Sequence, residues 1–209
     1  KEKLEIPSVI GGGFKREYTN IFGGGKGLSA DNIHVRIDGR DYFVGDLALK
    51  ESRTPSSAFE DNKINHPSNR IITAATTAML MDREEEDIII VASLPLAEFN
   101  NQKGNFKRYL ADFREDVILF DNEKEIIRKV GFKHAAIFPQ GAAAAHFILN
   151  QHHFYFSNGS TFAIIDIGMK TLDVVVIEIG EGLEIIESMT FGFDIGVSLI
   201  HNELSRVVK

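Results

Sequence analysis

The sequence contains no cysteine. Disulfide frameworks, zinc–thiolate sites and thiol nucleophiles are therefore excluded, and a reducing, cytoplasmic setting is the expectation. Nor is there an excess of basic residues. Lys and Arg number 23 against 30 Asp and Glu, for a net charge of -7, so no direct nucleic-acid binding is expected. No apolar run is long enough to cross a bilayer, so no membrane span is expected, and Lys1-Glu2-Lys3-Leu4-Glu5 does not read as a signal peptide. The first residue is Lys rather than Met, as expected of a fragment or a processed chain. Low-complexity segments, short repeats and a nucleophilic triad are all lacking. The cluster Gly23-Gly24-Gly25-Lys26-Gly27 imitates a P-loop. It lacks the first Gly at the required spacing, has Gly27 where Ser or Thr is needed, and follows no strongly apolar strand. A mobile loop is the better reading.

What is present is ordinary globular material: 209 residues, 44% hydrophobic and 25% charged, enough for one large or two small cores. Ile6 to Ile10 reads as a short strand ending in Gly11-Gly12-Gly13. Ile33-His34-Val35-Arg36-Ile37, Asp38-Gly39 and Tyr42-Phe43-Val44 give a hairpin signal. Residues 50–66 read as a polar loop, and Pro67-Ser68-Asn69 opens a helix to about Asp82, with Ile71, Ile72, Ala75, Ala78 and Met79 on its apolar side. Glu84-Glu85-Glu86-Asp87 reads as a solvated acidic connector. The continuous apolar run at 87–92 suggests a strand buried on both faces. A helix over 98–113, strands at 117–120 and 125–130 around Asp121-Asn122, a strand at 135–138 and an Ala-rich helix over 140–150 follow. Strands at 161–167, 172–179 and 183–189 form a three-stranded meander, and Asp194-Ile195-Gly196 starts a final helix. The mixture predicts an α/β layered fold, with its best boundary near residues 150–160. His146, His152 and His153 lie close in sequence, but a solvated helix end explains them better than a metal site.

The most telling run is Asp166-Ile167-Gly168-Met169-Lys170-Thr171-Leu172-Asp173. It occupies the tight turn between two apolar strands. A turn needs Gly for backbone freedom. It does not need an Asp on each side and a Thr inside. Successive N–H groups in such a turn can form an anion-binding concavity, and a carboxylate at the strand end can hold a hydrated divalent ion beside a phosphate.

With these landmarks the chain resembles the actin-like ATPases of the actin/Hsp70/sugar-kinase superfamily, most closely the plasmid-segregation (ParM/StbA-like) type. Four segments carry the resemblance in the family's order: Tyr42-Phe43-Val44-Gly45-Asp46-Leu47-Ala48, then His66-Pro67-Ser68-Asn69, then Phe138-Pro139-Gln140-Gly141-Ala142-Ala143, then the run from Asp166 to Asp173. The likeness covers essentially the whole chain. It implies an actin-like (ribonuclease H-like) mixed sheet flanked by helices, with residues 1–150 as a first domain and 151–209 as the start of a second. The family's first phosphate hairpin, roughly D-x-G-x-G-x-x-K, would lie ahead of Ile6-Pro7-Ser8 and is not in this sequence, nor is most of the second domain.

The resemblance also implies roles. Asp166 would hold Mg2+ through water. Ile167, Gly168, Met169, Lys170 and Thr171 would form the second phosphate loop, although Met169-Lys170 is atypical for the superfamily and Lys170 reads more simply as a solvated turn lysine. Gln140 would orient the attacking water, since a neutral amide can accept from water and donate to a phosphate oxygen. Asp173 matches a carboxylate near that water in some bacterial members. Asp194 and Gly196 would open a helix facing the nucleotide, with Asp194 either an N-cap or a ribose contact. ATP (or GTP) with Mg2+ would bind between two domains, and self-association into filaments, with an adaptor protein linking them to DNA, would follow. Two other readings keep the same residues: a non-polymerising ATPase of the Hsp70/sugar-kinase type, and a nucleotide-dead scaffold domain.

Overall fold

The computed structural model of the chain describes residues 3–16, 26–57, 66–152 and 157–207. Gly23, Gly24, Gly25 and His153, part of the polar loop at 50–66, and the side chain of His152 lie outside the described residues. The chain divides into two compact units, residues 1–88 with 109–134, and 89–108 with 135–209. These units interleave along the sequence.

The first unit is built on an antiparallel sheet. Its strands are β1 (Val9–Gly12), β2 (Ile33–Ile37), β3 (Arg40–Val44) and β4 (Ser56–Ser57), with two longer strands at Arg114–Asp121 and Lys124–Gly131 described below as β6 and β7. The order is β4-β1-β3-β2-β6-β7. β1 starts three residues later than the sequence suggests, because the Val9 N–H turns back onto the Pro7 carbonyl at 2.8 Å. The β2–β3 hairpin forms as expected. Asp38 (φ 51°) and Gly39 (φ 71°) both take positive φ, the twist that a two-residue hairpin turn requires. Asn122 (φ 55°) supplies the same freedom between β6 and β7.

A short helix α1 (Asp46–Glu51), absent from the sequence reading, follows Gly45 at φ 64°. Helix α2 (Pro67–Leu80) starts at the expected Pro67, and the His66 Nδ1 accepts from the Ser68 N–H. It buries Ile71, Ala74, Ala75 and Ala78, and Arg70 pairs with Asp38 and Glu115. The acidic connector is largely exposed, as expected of a solvated segment, and carries surface ion pairs. Lys129 pairs with Glu84 and Glu85, and Lys133 with Asp87, so unlike charge ties it to β7 and the residues after it.

The second unit holds β5 (Ile89–Leu94), most of α3 (Leu96–Ala111), β8 (His134–Pro139), α4 (Gln140–His152), β9 (Thr161–Ile167), β10 (Leu172–Ile179), β11 (Leu183–Ile185), β12 (Phe191–Phe193) and α5 (Val197–Val207). β5 pairs with β8 and alternates in burial, with Ile89 and Val91 each 65% exposed. The apolar run is therefore covered on one face here, not on two. β9 and β11 flank β10 as the expected meander. The third strand is broken, however. A 3-10 turn at Glu187–Met189 intervenes, and β12 then returns to pair with the first residues of β10. At the break the Thr190 hydroxyl accepts from the Val176 N–H at 3.0 Å, replacing a backbone acceptor. The core gathers Ala145, Val175 and Ile177, with Leu96, Phe162 and Ile164 packed against them.

Candidate functional site

Every residue singled out from the sequence as a site candidate falls in the second unit. The β9–β10 hairpin is closed by the Gly168 N–H donating to the Thr171 carbonyl at 2.8 Å. A Cβ on Gly168 would stand 3.3 Å from that carbonyl oxygen, so the tight turn favours glycine. Ile167 and Met169 are exposed, and Lys170 and Thr171 are half-buried.

Side chains alternate along a strand. Asp173 thus shares a face with the buried Val175 and Ile177, and Asp166 sits directly opposite Asp173 in the register. Two like charges facing each other across a strand pair are destabilising, and the two carboxylates differ in how they are accommodated. Asp166 is exposed and available to a hydrated ion. Asp173 is 1% exposed, and its Oδ1 accepts from the Leu96 N–H at 3.2 Å. Leu96 is the first residue of α3. A strand carboxylate thereby takes one of the donors that every helix start leaves without an intrahelical partner, and its charge suits the positive end of the helix.

Helix α4 begins at Gln140, half-buried, directly after the buried Pro139. The next residue, Gly141, touches β10 so closely that a Cβ would lie 2.4 Å from Val175 Cγ2. The first turn of α4 therefore rests on the strand that carries Asp173. Helix α5 begins one residue after Gly196. Its Val197 N–H donates to the Gly168 carbonyl (3.0 Å) and its Ser198 N–H to the Met169 carbonyl (2.9 Å). Asp194 is exposed and lies two residues before Gly196. The N-cap expected of Asp194 is thus replaced at these two donors by carbonyls of the hairpin. A Cβ on Gly196 would stand 2.4 Å from the Met169 carbonyl carbon and oxygen.

Three helix starts therefore meet one hairpin: α3 at Asp173, α4 at Val175 and α5 at Gly168 and Met169. A helix start favours an anion nearby; α3 meets one in the Asp173 carboxylate, and α5 spends its first two N–H groups on turn carbonyls. Sequence reasoning placed Asp166, Asp173, Gln140 and Gly196 near one another, but missed Leu96 and the close seat of Gly141. A signal for the helix starts existed. In Leu94-Pro95-Leu96 and Phe138-Pro139-Gln140 a proline stands where an apolar strand gives way to a helix. Nothing in the sequence reports that the carboxylate of Asp173 reaches the first of them.

For a metal, the described residues hold no group of three or more His, Asp or Glu placed to ligate an ion. His146 is exposed. Magnesium is commonly held by one or two carboxylates together with waters and phosphate oxygens, and Asp166 beside the Gly168 turn fits that mode.

Residues 1–142 match the family model of the N-terminal domain of actin-like proteins, and residues 164–209 that of the C-terminal part of an archaeal MreB-like actin homologue. No curated protein sequence matches the chain. Among solved structures, a 15-stranded ParM filament from Clostridium botulinum is similar at TM-score 0.83 and 29% identity, over 97% of this chain and 61% of that one. A non-polymerisable quadruple mutant of pCBH ParM matches at TM-score 0.78 and 30% identity, with the same coverage of each chain. An archaeal actin homologue in complex with ADP matches at TM-score 0.71 and 21% identity, over 96% of this chain and 57% of that one. The chain thus spans about 61% of the ParM chains it matches. The fold is the actin-like one expected from the four sequence landmarks, and the chain belongs to the family of actin-like proteins.

Proposed function

We propose that this chain is part of an actin-like nucleotide-binding protein that hydrolyses ATP (or GTP) with Mg2+ and assembles into nucleotide-dependent filaments. Residues 1–150 would form the first actin-like domain and 151–209 the start of the second. The observation that carries the reading is the meeting of three helix starts at the Asp166–Asp173 hairpin. The ADP complex of an archaeal homologue and the ParM filament support it by similarity.

In this reading the turn from Ile167 through Gly168, Met169 and Lys170 to Thr171 faces the phosphates with its Met169 and Lys170 N–H groups, while the Gly168 N–H closes the turn on the Thr171 carbonyl. Asp166 holds the hydrated metal. Magnesium, when bound, neutralises negative charge on the phosphate oxygens. Gln140 orients the attacking water, a positioning task suited to a neutral amide. Asp173, buried and bonded to α3, keeps the hairpin in register with that helix rather than serving as a base. Asp194, exposed before α5, is left as a ribose contact. A cytoplasmic protein that segregates plasmid DNA through an adaptor is the role that the ParM likeness favours.

The test is to add magnesium-ATP to the gene's full-length product while recording light scattering and phosphate release. Scattering should rise as filaments form. Gln140→Ala should slow phosphate release about 100-fold, within the range expected for loss of a positioned catalytic group, and spare assembly. Turnover without any rise in scattering would replace the filament reading with that of a non-polymerising ATPase. Failure to bind nucleotide at all would leave a scaffold domain.

A further inference from the structure

The start of α5 is the element of the site that its sequence explains least. A helix N-terminus beside a phosphate loop suggests direct anion contact, yet the Val197 and Ser198 N–H groups are spent on the Gly168 and Met169 carbonyls. Those carbonyls belong to the same turn whose N–H groups face the opposite way along the peptide planes. Holding a carbonyl on one side of a peptide fixes the direction of the N–H on the other, because the peptide unit is planar. Gly196 makes this approach possible. An added Cβ would meet the Met169 carbonyl carbon and oxygen at 2.4 Å and the Lys170 nitrogen at 2.5 Å. All three are backbone atoms of the turn, so no side chain can swing aside to make room. Gly196 does not take a left-handed φ, so its need for glycine is one of space alone.

We propose that Gly196 is a positioning residue for the phosphate hairpin: it lets α5 grip the outward carbonyls of Gly168 and Met169, and so aims the turn's N–H groups at the anionic ligand. The inference rests on the nucleotide-binding reading and adds to it that α5 moves with the hairpin as one body. Gly196 itself makes no contact with nucleotide. Its substitution therefore acts on the phosphate end of a ligand and leaves the nucleoside end unchanged.

The experiment uses the gene's full-length product and compares MgATP with adenosine as probes. Gly196→Ala should weaken MgATP binding at least ten-fold while adenosine binding stays within two-fold. Gly182→Ala is the control, since a Cβ there meets nothing within 4 Å, and it should leave both unchanged. Equal loss of MgATP and adenosine, or no loss of either, would overturn the proposal. A second measurement needs no variant. Amide hydrogen exchange in the wild-type protein should slow at Val197 and Ser198 when MgATP binds, at least ten-fold, because the ligand steadies the turn that holds them. Exchange unchanged at both amides with MgATP bound would overturn the coupling while leaving the functional reading intact. A wild-type protein that binds no MgATP at any concentration would overturn both.

Discussion

Asp173 offers the sharpest perturbation, because its structural duty and its charge can be separated. Asp173→Ala removes the acceptor for the Leu96 N–H at the start of α3. Loss of a side-chain cap typically costs about 1 kcal/mol, and loss of a negative charge at a partly buried helix start adds about 0.3–1 kcal/mol. Against this, the facing Asp166 loses a like-charge neighbour, worth roughly 0.2–1 kcal/mol in relief. The net loss is about 1 kcal/mol, a fall in melting temperature of roughly 2–4 °C for a chain of this size. Asp173→Asn keeps an oxygen acceptor of the same shape, loses the charge and puts an NH2 group in place of the second oxygen. There the lost helix-end attraction and the relieved repulsion nearly cancel, leaving a change under about 0.5 kcal/mol. Urea denaturation of the nucleotide-free protein measures both variants, and amide exchange in the first turn of α3 localises the loss. If Asp173→Asn costs as much as Asp173→Ala, the acceptor geometry is not what holds α3. If neither is destabilised by more than about 0.3 kcal/mol, within the scatter of ordinary surface substitutions, the cap assignment fails.

Two further outcomes follow from packing and burial. Gly141→Ala drives a Cβ into Val175; overpacking of about 1–3 kcal/mol outweighs the roughly 1 kcal/mol gained in helix propensity, so denaturation midpoints should fall. Adding Val175→Ala should give a coupling of more than about 0.5 kcal/mol, and strict additivity would contradict the close seat of α4 on β10. His34 is 4% exposed, stacked on Phe120 at 4.2 Å, and burial holds its pKa below the ordinary 6.5 despite the opposing pull of Asp41. The unfolded chain then binds more protons below pH 6.5, so stability present above that pH is lost as pH falls toward the folded pKa. Urea midpoints measured from pH 7.5 down to 5 should decline in the wild type and flatten in His34→Phe; a rise on acidification would reverse the sign.

Elements with a strong local signal were legible in the sequence. The β2–β3 hairpin was fixed by Asp38-Gly39, α2 by Pro67 and its apolar spacing, and the β9–β10 hairpin by its apolar strands around Gly168. Those that depend on distant partners were not. α1 is too short to show periodicity, and it depends on the left-handed Gly45. The third strand of the meander breaks because a threonine hydroxyl substitutes for the backbone at Thr190, which no local pattern announces. β5 is as apolar as a doubly buried strand but leaves Ile89 and Val91 exposed. The site followed the same division. The tight turn at Gly168 with Asp166 and Asp173 on its two strands was readable from the hairpin pattern, and the helix start at Gln140 from the preceding Pro139. The contacts of Asp173 and Gly196 were not, since each is made with an element away in sequence: Leu96 for one, the Met169 carbonyl for the other.

The most direct measurement is calorimetric titration of the gene's full-length product with ATP, in magnesium and then in EDTA, for the wild type and Asp166→Asn. If the β9–β10 hairpin is a phosphate clamp with Asp166 as its metal-side carboxylate, the wild type binds ATP more tightly in magnesium than in EDTA, and Asp166→Asn loses most of that difference. Equal magnesium dependence in the two proteins, or no ATP binding by the wild type, would show that the hairpin does something else.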